Sequence, residues 1–190
     1  MVSQNKNWGE AFYDHMLRYL GNPVSREIFR QDALHPHIQV LKFDNVFPDC
    51  KVFCSLGASN YYEILGGPAE VILPCDNGWD AIGGLLANSL FYLVQNRMEL
   101  GRGVGISLER IAMDFAQRFG KAAIYYSNPF GLPSDFNIVK KNDEAGRMYL
   151  AFFISREEFD YFCDRGAEAF ESLLERAKGD PFELHRHSSI

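Results

Sequence analysis

From Asn7 to Leu20, apolar side chains recur near every third or fourth position, at Trp8, Phe12, Met16, Tyr19 and Leu20, before Gly21 and Pro23. This spacing predicts an amphipathic helix with a defined stop. The period then falls to two. Residues 24–29, 37–43 and 51–56 are short, β-branched or aromatic runs separated by Pro and Asp, and read as a strand meander. Residues 69–73 form a nearly continuous apolar strand, which Pro74 is expected to end because it has no N–H to give to a ladder. Asp76 or Asn77 would then cap a helix over 78–96, whose wide apolar stripe (Trp79, Ile82, Leu85, Leu86, Leu90, Phe91) marks the main core helix. Gly83 and Gly84 cost that helix roughly 1 kcal/mol each in propensity, which predicts a close packing contact there.

In the second half, 103–106 reads as extended, while 107–119 has helical spacing and is open between helix and loop. Residues 121–127 are a strand, and 136–140 with 147–154 read as a hairpin turning through 142–146. Ser155 followed three residues later by Glu158 is a capping box, in which each side chain satisfies a backbone N–H at the other's position. It opens a helix over 156–164, interrupted at Gly166 and resumed over 167–177. Strands grouped in the middle with helices at both ends predict an α+β fold, a mixed or mainly antiparallel sheet packed by helices. No repeat or linker divides the sequence, so one domain over 1–190 is expected, with a core of about 10–188.

A chain of 190 residues that is 47% hydrophobic can bury a substantial core. The net charge of -6 disfavours nucleic-acid binding, which needs a concentrated excess of Lys and Arg. It suits a basic partner instead. No apolar run approaches the ~20 residues of a membrane helix, and the opening residues lack an apolar signal core, so a cytoplasmic location is expected. Cys50, Cys54, Cys75 and Cys163 show no C-x-x-C pair and are expected as free thiols in or near the core.

Candidate chemistry fails on context. Gly101-x-Gly103-x-Gly105 lacks the sixth-position glycine of a dinucleotide fingerprint and the Lys-Ser or Lys-Thr of a P-loop. His35 and His37, with His185 and His187, could make a zinc shell only if the fold joined them, and the second pair lies in a tail expected to fray. The Leu56-Gly57-Ala58-Ser59-Asn60 stretch approaches a nucleophile elbow but lacks its second glycine, so it reads as a turn after a strand. Glu157 and Glu158 point in different directions on a helix and do not form an acid/base pair. No catalytic, metal or cofactor site is expected.

Several of these segments resemble, in order, the Suppressor-of-fused-like domain family. They are Val52-Phe-Cys-Ser-Leu-Gly-Ala-Ser59, Ala69-Glu-Val-Ile-Leu-Pro74, Trp79 with Leu85 and Leu86, Gly103-Val-Gly105, Asn128-Pro-Phe130, Phe152-Phe-Ile-Ser-x-x-Glu-Phe159 and Asp180-x-Phe-x-Leu-x-Arg186. Asp80 stands where many relatives have Pro. The resemblance implies a protein-binding fold without catalysis, whose animal founder binds a transcription factor partly by accepting a short peptide strand. That founder's C-terminal domain has no counterpart here. Leu20-Gly21 and Ile38-Gln-Val-Leu-Lys-Phe-Asp-Asn-Val-Phe-Pro48 are similar to bacterial single-domain members that look like immunity proteins, or antitoxins, against polymorphic toxins.

The function expected is therefore direct binding of a cognate toxin, a basic nuclease in the simplest case. Tyr61 and Tyr62 are expected to anchor the contact, with Glu63 and Asp135 meeting basic groups. The alternative for both tyrosines is a half-buried place in a strand. Two rival functions remain: a peptide- or regulator-binding module with an exposed sheet edge, and a small-molecule enzyme with a pocket lined by His37, Cys54 and Glu70.

Overall fold

The computed structural model describes residues 7–76, 79, 81–177 and 179–190. The first apolar stripe folds as α1 (Gly9–Leu20), burying Phe12, His15, Met16 and Leu20. Three strands follow, β1 (Ser25–Phe29), β2 (Ile38–Phe43) and β3 (Cys50–Leu56), an antiparallel meander as the period-two pattern predicts. A 3-10 turn at Ala58–Tyr61 runs into the single-turn α2 (Tyr62–Leu65), which leads to β4 (Ala69–Asp76). After α3 (Ile82–Gln95) come β5 (Val104–Ser107), a 3-10 turn at Leu108–Arg110 and α4 (Met113–Phe119). The chain closes with β6 (Lys121–Ser127), β7 (Ile138–Lys141), β8 (Glu144–Ser155) and α5 (Arg156–Arg176).

All eight strands join one sheet in the order β1-β2-β3-β4-β8-β6-β5, with β7 paired beside β6 on β8. Every pairing is antiparallel except β4 with β8, so the sheet is mixed and the fold α+β, as expected. Alternation along the central strands gives each face its own core. Val71, Leu73, Ile124 and Phe153 turn to one face and pack with α3 and α4; Ile72, Tyr125, Phe152 and Ile154 turn to the other and pack with α1 and α5.

Several local expectations change. β4 does not stop at Pro74 but continues to Asp76. Its pairing with β8 ends at Ile72 while that with β3 runs on, so Pro74 lies where the strand has only one ladder and a residue without an N–H is tolerated. The described part of α3 begins at Ile82; the cap candidate Asn77 lies outside the described residues, and Asp76 instead accepts the Leu184 N–H at 3.1 Å. Added methyls at Gly83 and Gly84 would meet Val40 and Phe29 side chains at 3.4 Å, the close packing expected of them. Phe136 lies in a 3-10 turn (Ser134–Asn137) rather than in the strand, which starts at Ile138. Residues 107–119 are mixed, a 3-10 turn followed by α4. Cys50, Cys54 and Cys75 are buried free thiols, but Cys163 is exposed on α5.

The capping box forms as predicted, and Gly166 breaks α5 with φ 80° and ψ 173°. The C-terminal tail, expected to fray, is a strap. Arg186 places its guanidinium on both oxygens of Glu158, at 2.5 and 2.8 Å, and on the Phe153 carbonyl. Ser188 Oγ meets Ser155 Oγ at 3.0 Å, and the Ser189 N–H donates to Glu158. Lys121 Nζ donates to the Arg186 carbonyl; burial, with the guanidinium nearby, pushes this ammonium down to about 8. The capping carboxylate of α5 is thus also the anchor of the last turn of chain.

Candidate functional site

A carboxylate in the middle of an apolar strand demands partners, because an isolated buried charge costs several kcal/mol. Glu70, fully buried between Ala69 and Val71, finds five. Its Oε1 accepts the Gly57 N–H (2.7 Å), the Ser59 N–H (3.1 Å) and the Ser59 hydroxyl (2.8 Å); its Oε2 accepts the Ala58 N–H (3.2 Å) and the Ser55 hydroxyl (2.5 Å). Burial pushes the Glu70 carboxyl above the ordinary carboxylate range, against the pull of these bonds. Ser55 Oγ also accepts the Val71 N–H, filling the rung where β3 leaves β4. One side chain therefore fixes the whole 57–59 turn.

That turn braces the neighbouring β1–β2 loop. Gly57 has φ 117°, and a methyl there would sit 2.7 Å from the His37 carbonyl, so glycine is required both by conformation and by the close approach. Two residues past the turn's last Glu70 contact, the Tyr61 hydroxyl donates to the Pro36 carbonyl at 2.5 Å. Burial, then the Asp32 carboxylate, pushes the Tyr61 hydroxyl up. Within the loop, Asp32 Oδ1 accepts the N–H groups of Leu34 (2.8 Å) and His35 (2.9 Å), an Asx turn, and the His35 Nδ1–H donates to Oδ2 at 2.7 Å. The carboxyl of Asp32 is held below its usual range, chiefly by the His35 side chain. At the tip of this fixed loop stands Leu34, 91% exposed. Ile28 on β1, which among the described residues pairs only with β2, is 54% exposed, and Val24 just before that strand is 57% exposed.

The expected contact residues separate on this framework. Tyr61 is only 6% exposed and braces the loop from inside, so it is not a surface anchor. Tyr62 is half-buried and Glu63 exposed on α2, joined to each other through the Tyr62 hydroxyl at 3.3 Å. Neither tyrosine lies in a strand. Asp135 is exposed elsewhere, in an open groove of about 850 Å³ between α1 and β7 that also takes in Glu10, Asp14, Arg18 and Ile138. On the groove wall, His15 donates through Nε2–H to the Phe136 carbonyl at 3.0 Å and stacks on the Phe136 ring; burial pushes its pKa down. Among the described residues no hydrogen bond, ion pair or ring contact joins Asp135 to Tyr62 or Glu63.

The constellation of His37, Cys54 and Glu70 does not form a reaction site. Cys54 and Glu70 are fully buried, and burial raises the Cys54 thiol well above its ordinary range, away from the reactive thiolate. His37 instead accepts from the Gln39 amide at 3.0 Å. Among the described residues no group of three or more His, Cys, Asp or Glu side chains is arranged to hold a metal ion. No described helix is long and apolar enough to cross a membrane. Leu34 escaped the sequence reading although a local signal for it existed, an Asp followed two residues on by an apolar tip before His-Pro. The brace made by Glu70 was signalled only as a lone charge in an apolar strand.

The family model of the Suppressor of fused protein (SUFU) matches residues 35–187. No curated protein sequence matches the chain. Among solved structures, a SUFU homologue from Neisseria gonorrhoeae FA 1090 superposes with a TM-score of 0.74 at 14% identity, covering 96% of this chain and 97% of that one. The structure of the Sufu–Fu complex gives 0.71 at 12% identity, covering 98% and 93%. Drosophila Suppressor of Fused gives 0.68 at 12% identity over 95% of this chain and 50% of its own. The matched segment takes in the Glu70 brace, the capping box and the Arg186 strap, and the chain belongs to the Suppressor of fused family.

Proposed function

We propose that this chain is a cytoplasmic immunity protein that neutralises a cognate toxin, in the simplest case a basic nuclease, by binding it directly. The observation that carries the protein-binding part is Leu34. A large apolar side chain 91% in water is unremarkable on a slack loop, but this loop is held by an Asx turn, by Tyr61 and by a turn tied to a buried carboxylate. Such bracing fixes an apolar tip in advance, and a pre-ordered contact loses less conformational entropy on binding. Tyr62 and Glu63, which directly follow the bracing Tyr61 on α2, offer a half-buried aromatic ring and an exposed acid as further contacts. Asp135, beside α1, supplies a separate acidic contact.

The toxin in particular is favoured by the net charge of -6, which speeds encounter with a basic partner, and by the likeness of 20–21 and 38–48 to antitoxin members of the family. A protein partner also fits a fold that is seen, in a distant relative, in the Sufu–Fu complex. One observation favours a second reading, a peptide- or regulator-binding module: among the described residues β1 has an unpaired outer edge, open to an added strand. Co-expression with the product of the adjacent gene, followed by co-purification and a growth-rescue assay, tests the proposal. Rescue with a stable complex is expected; a toxic neighbour that the chain neither binds nor neutralises would remove the immunity role.

A further inference from the structure

A second feature lies away from the braced loop, beneath the C-terminal half of α5. A cavity of about 280 Å³ opens there, just under the ~300–1,000 Å³ typical of small-molecule sites, so it is sized for a side chain. Its apolar walls are Phe152, Leu174 and Phe130. Phe130 is 41% exposed, yet its ring is fixed by parallel stacking on Phe182, at 5.5 Å and 7°.

The polar wall is acidic. Glu171 Oε1 accepts from the Tyr125 hydroxyl (2.9 Å) and the Ser127 hydroxyl (3.0 Å), and Oε2 accepts from Arg102 Nε (2.7 Å). A carboxylate has about four acceptor positions, so one remains. Glu175, one helical turn on, lines the same cavity, is exposed and has no partner among the described residues. Two cations lie close, but Arg102 is spent on Glu171, and Arg186, on the tail side, is held by both oxygens of Glu158. Among the described residues, the charge left unmatched is the carboxylate of Glu175.

An occupant must offer a flat face to aromatic rings, several N–H donors and a positive charge that sheds water readily. A guanidinium meets all three conditions. An ammonium is a compact, strongly hydrated point charge and makes poor use of the ring. We propose that this cavity receives an arginine side chain of the protein partner, stacked against Phe130 and hydrogen-bonded to Glu171 and Glu175. This rests on the protein-binding reading and adds to it a second contact, with its own specificity.

The test uses the full chain and three blocked amino acids: N-acetyl-arginine amide, N-acetyl-lysine amide and N-acetyl-citrulline amide, the last an uncharged near-isostere of arginine. In an NMR titration, the arginine amide should give saturable shifts at Phe130, Phe152 and Leu174. Glu175→Gln should weaken it about tenfold, the worth of one charge-assisted hydrogen bond, and Phe130→Ala should also weaken it about tenfold through loss of the cation–π face. Equal affinity for the lysine or citrulline amide, no saturable shift at these residues, or indifference to both substitutions would overturn the proposal. Partner co-purification separates the two ideas. A partner bound equally well by Glu175→Gln and Phe130→Ala sinks the pocket alone; failure to bind any partner sinks the protein-binding reading.

Discussion

Two fully buried glutamates, Glu70 and Glu158, solve one problem in opposite ways. Glu70 takes five hydrogen bonds from a turn and from hydroxyls, with no cation among those donors. Glu158 takes bonds from the capping box and the tail, and a guanidinium covers both its oxygens. Burial pushes both carboxyls up, and for Glu70 that effect prevails. For Glu158 the Arg186 bond and charge, joined by the Ser155 and Ser189 N–H groups, together outweigh burial, and its pKa lies below the ordinary value. Neutral donors thus shape a turn around Glu70 without a counter-ion, whereas at Glu158 a guanidinium joins such donors and the carboxyl is held below its ordinary range. The first arrangement braces the candidate contact loop; the second ties the end of the chain to the core.

The largest expected effect comes from Arg186→Ala. It leaves Glu158 buried without its counter-ion, which should cost about 3–5 kcal/mol in urea unfolding and release residues 182–190 to rapid hydrogen exchange. A loss below about 1 kcal/mol would mean that water replaces the guanidinium and that the strap is marginal. Glu70→Ala comes next, at about 3 kcal/mol, because three backbone N–H groups of the 57–59 turn lose their acceptor. Its loss of exchange protection should be concentrated at 57–61 and in the 31–37 loop, and not in the tail.

The pH dependence separates the pair by sign. Glu158, with a lowered folded pKa, contributes stability above the unfolded value near 4.5 that is lost as pH falls through the folded value. Glu70, with a raised one, contributes stability below 4.5 that is lost as pH rises through the folded value. Stability differences from wild type, measured against pH, should therefore slope in opposite directions for Glu158→Gln and Glu70→Gln. Parallel slopes would refute the contrast. The smallest effect is that of Tyr61→Phe, which removes only the bond to the Pro36 carbonyl; about 1 kcal/mol should be lost, with faster exchange confined to 31–37.

The sequence carried what was local. The capping box could be read because its partners, Ser155 and Glu158, lie one helical turn apart, and the meander could be read from period-two burial. What it hid was non-local. Nothing near Glu158 in the chain points to Arg186, 28 residues on, so the tail looked frayed. Pro74 looked like a strand end because its effect depends on which neighbours continue the ladder. Tyr61 looked like a contact residue because aromatic composition does not distinguish a ring that touches a partner from one that braces a loop. The α+β class and the mixed sheet needed only the order of elements, which is why they emerged intact.

The most direct test of the account is the affinity of the adjacent gene's product, measured by calorimetry for the wild-type chain and for Leu34→Asp. Leu34 has almost no contacts to lose, so the substitution should leave stability unchanged. Wild type should bind tightly, and Leu34→Asp should lose tenfold or more, as for an apolar anchor at the centre of an interface. Undiminished binding by a stably folded Leu34→Asp chain would contradict it.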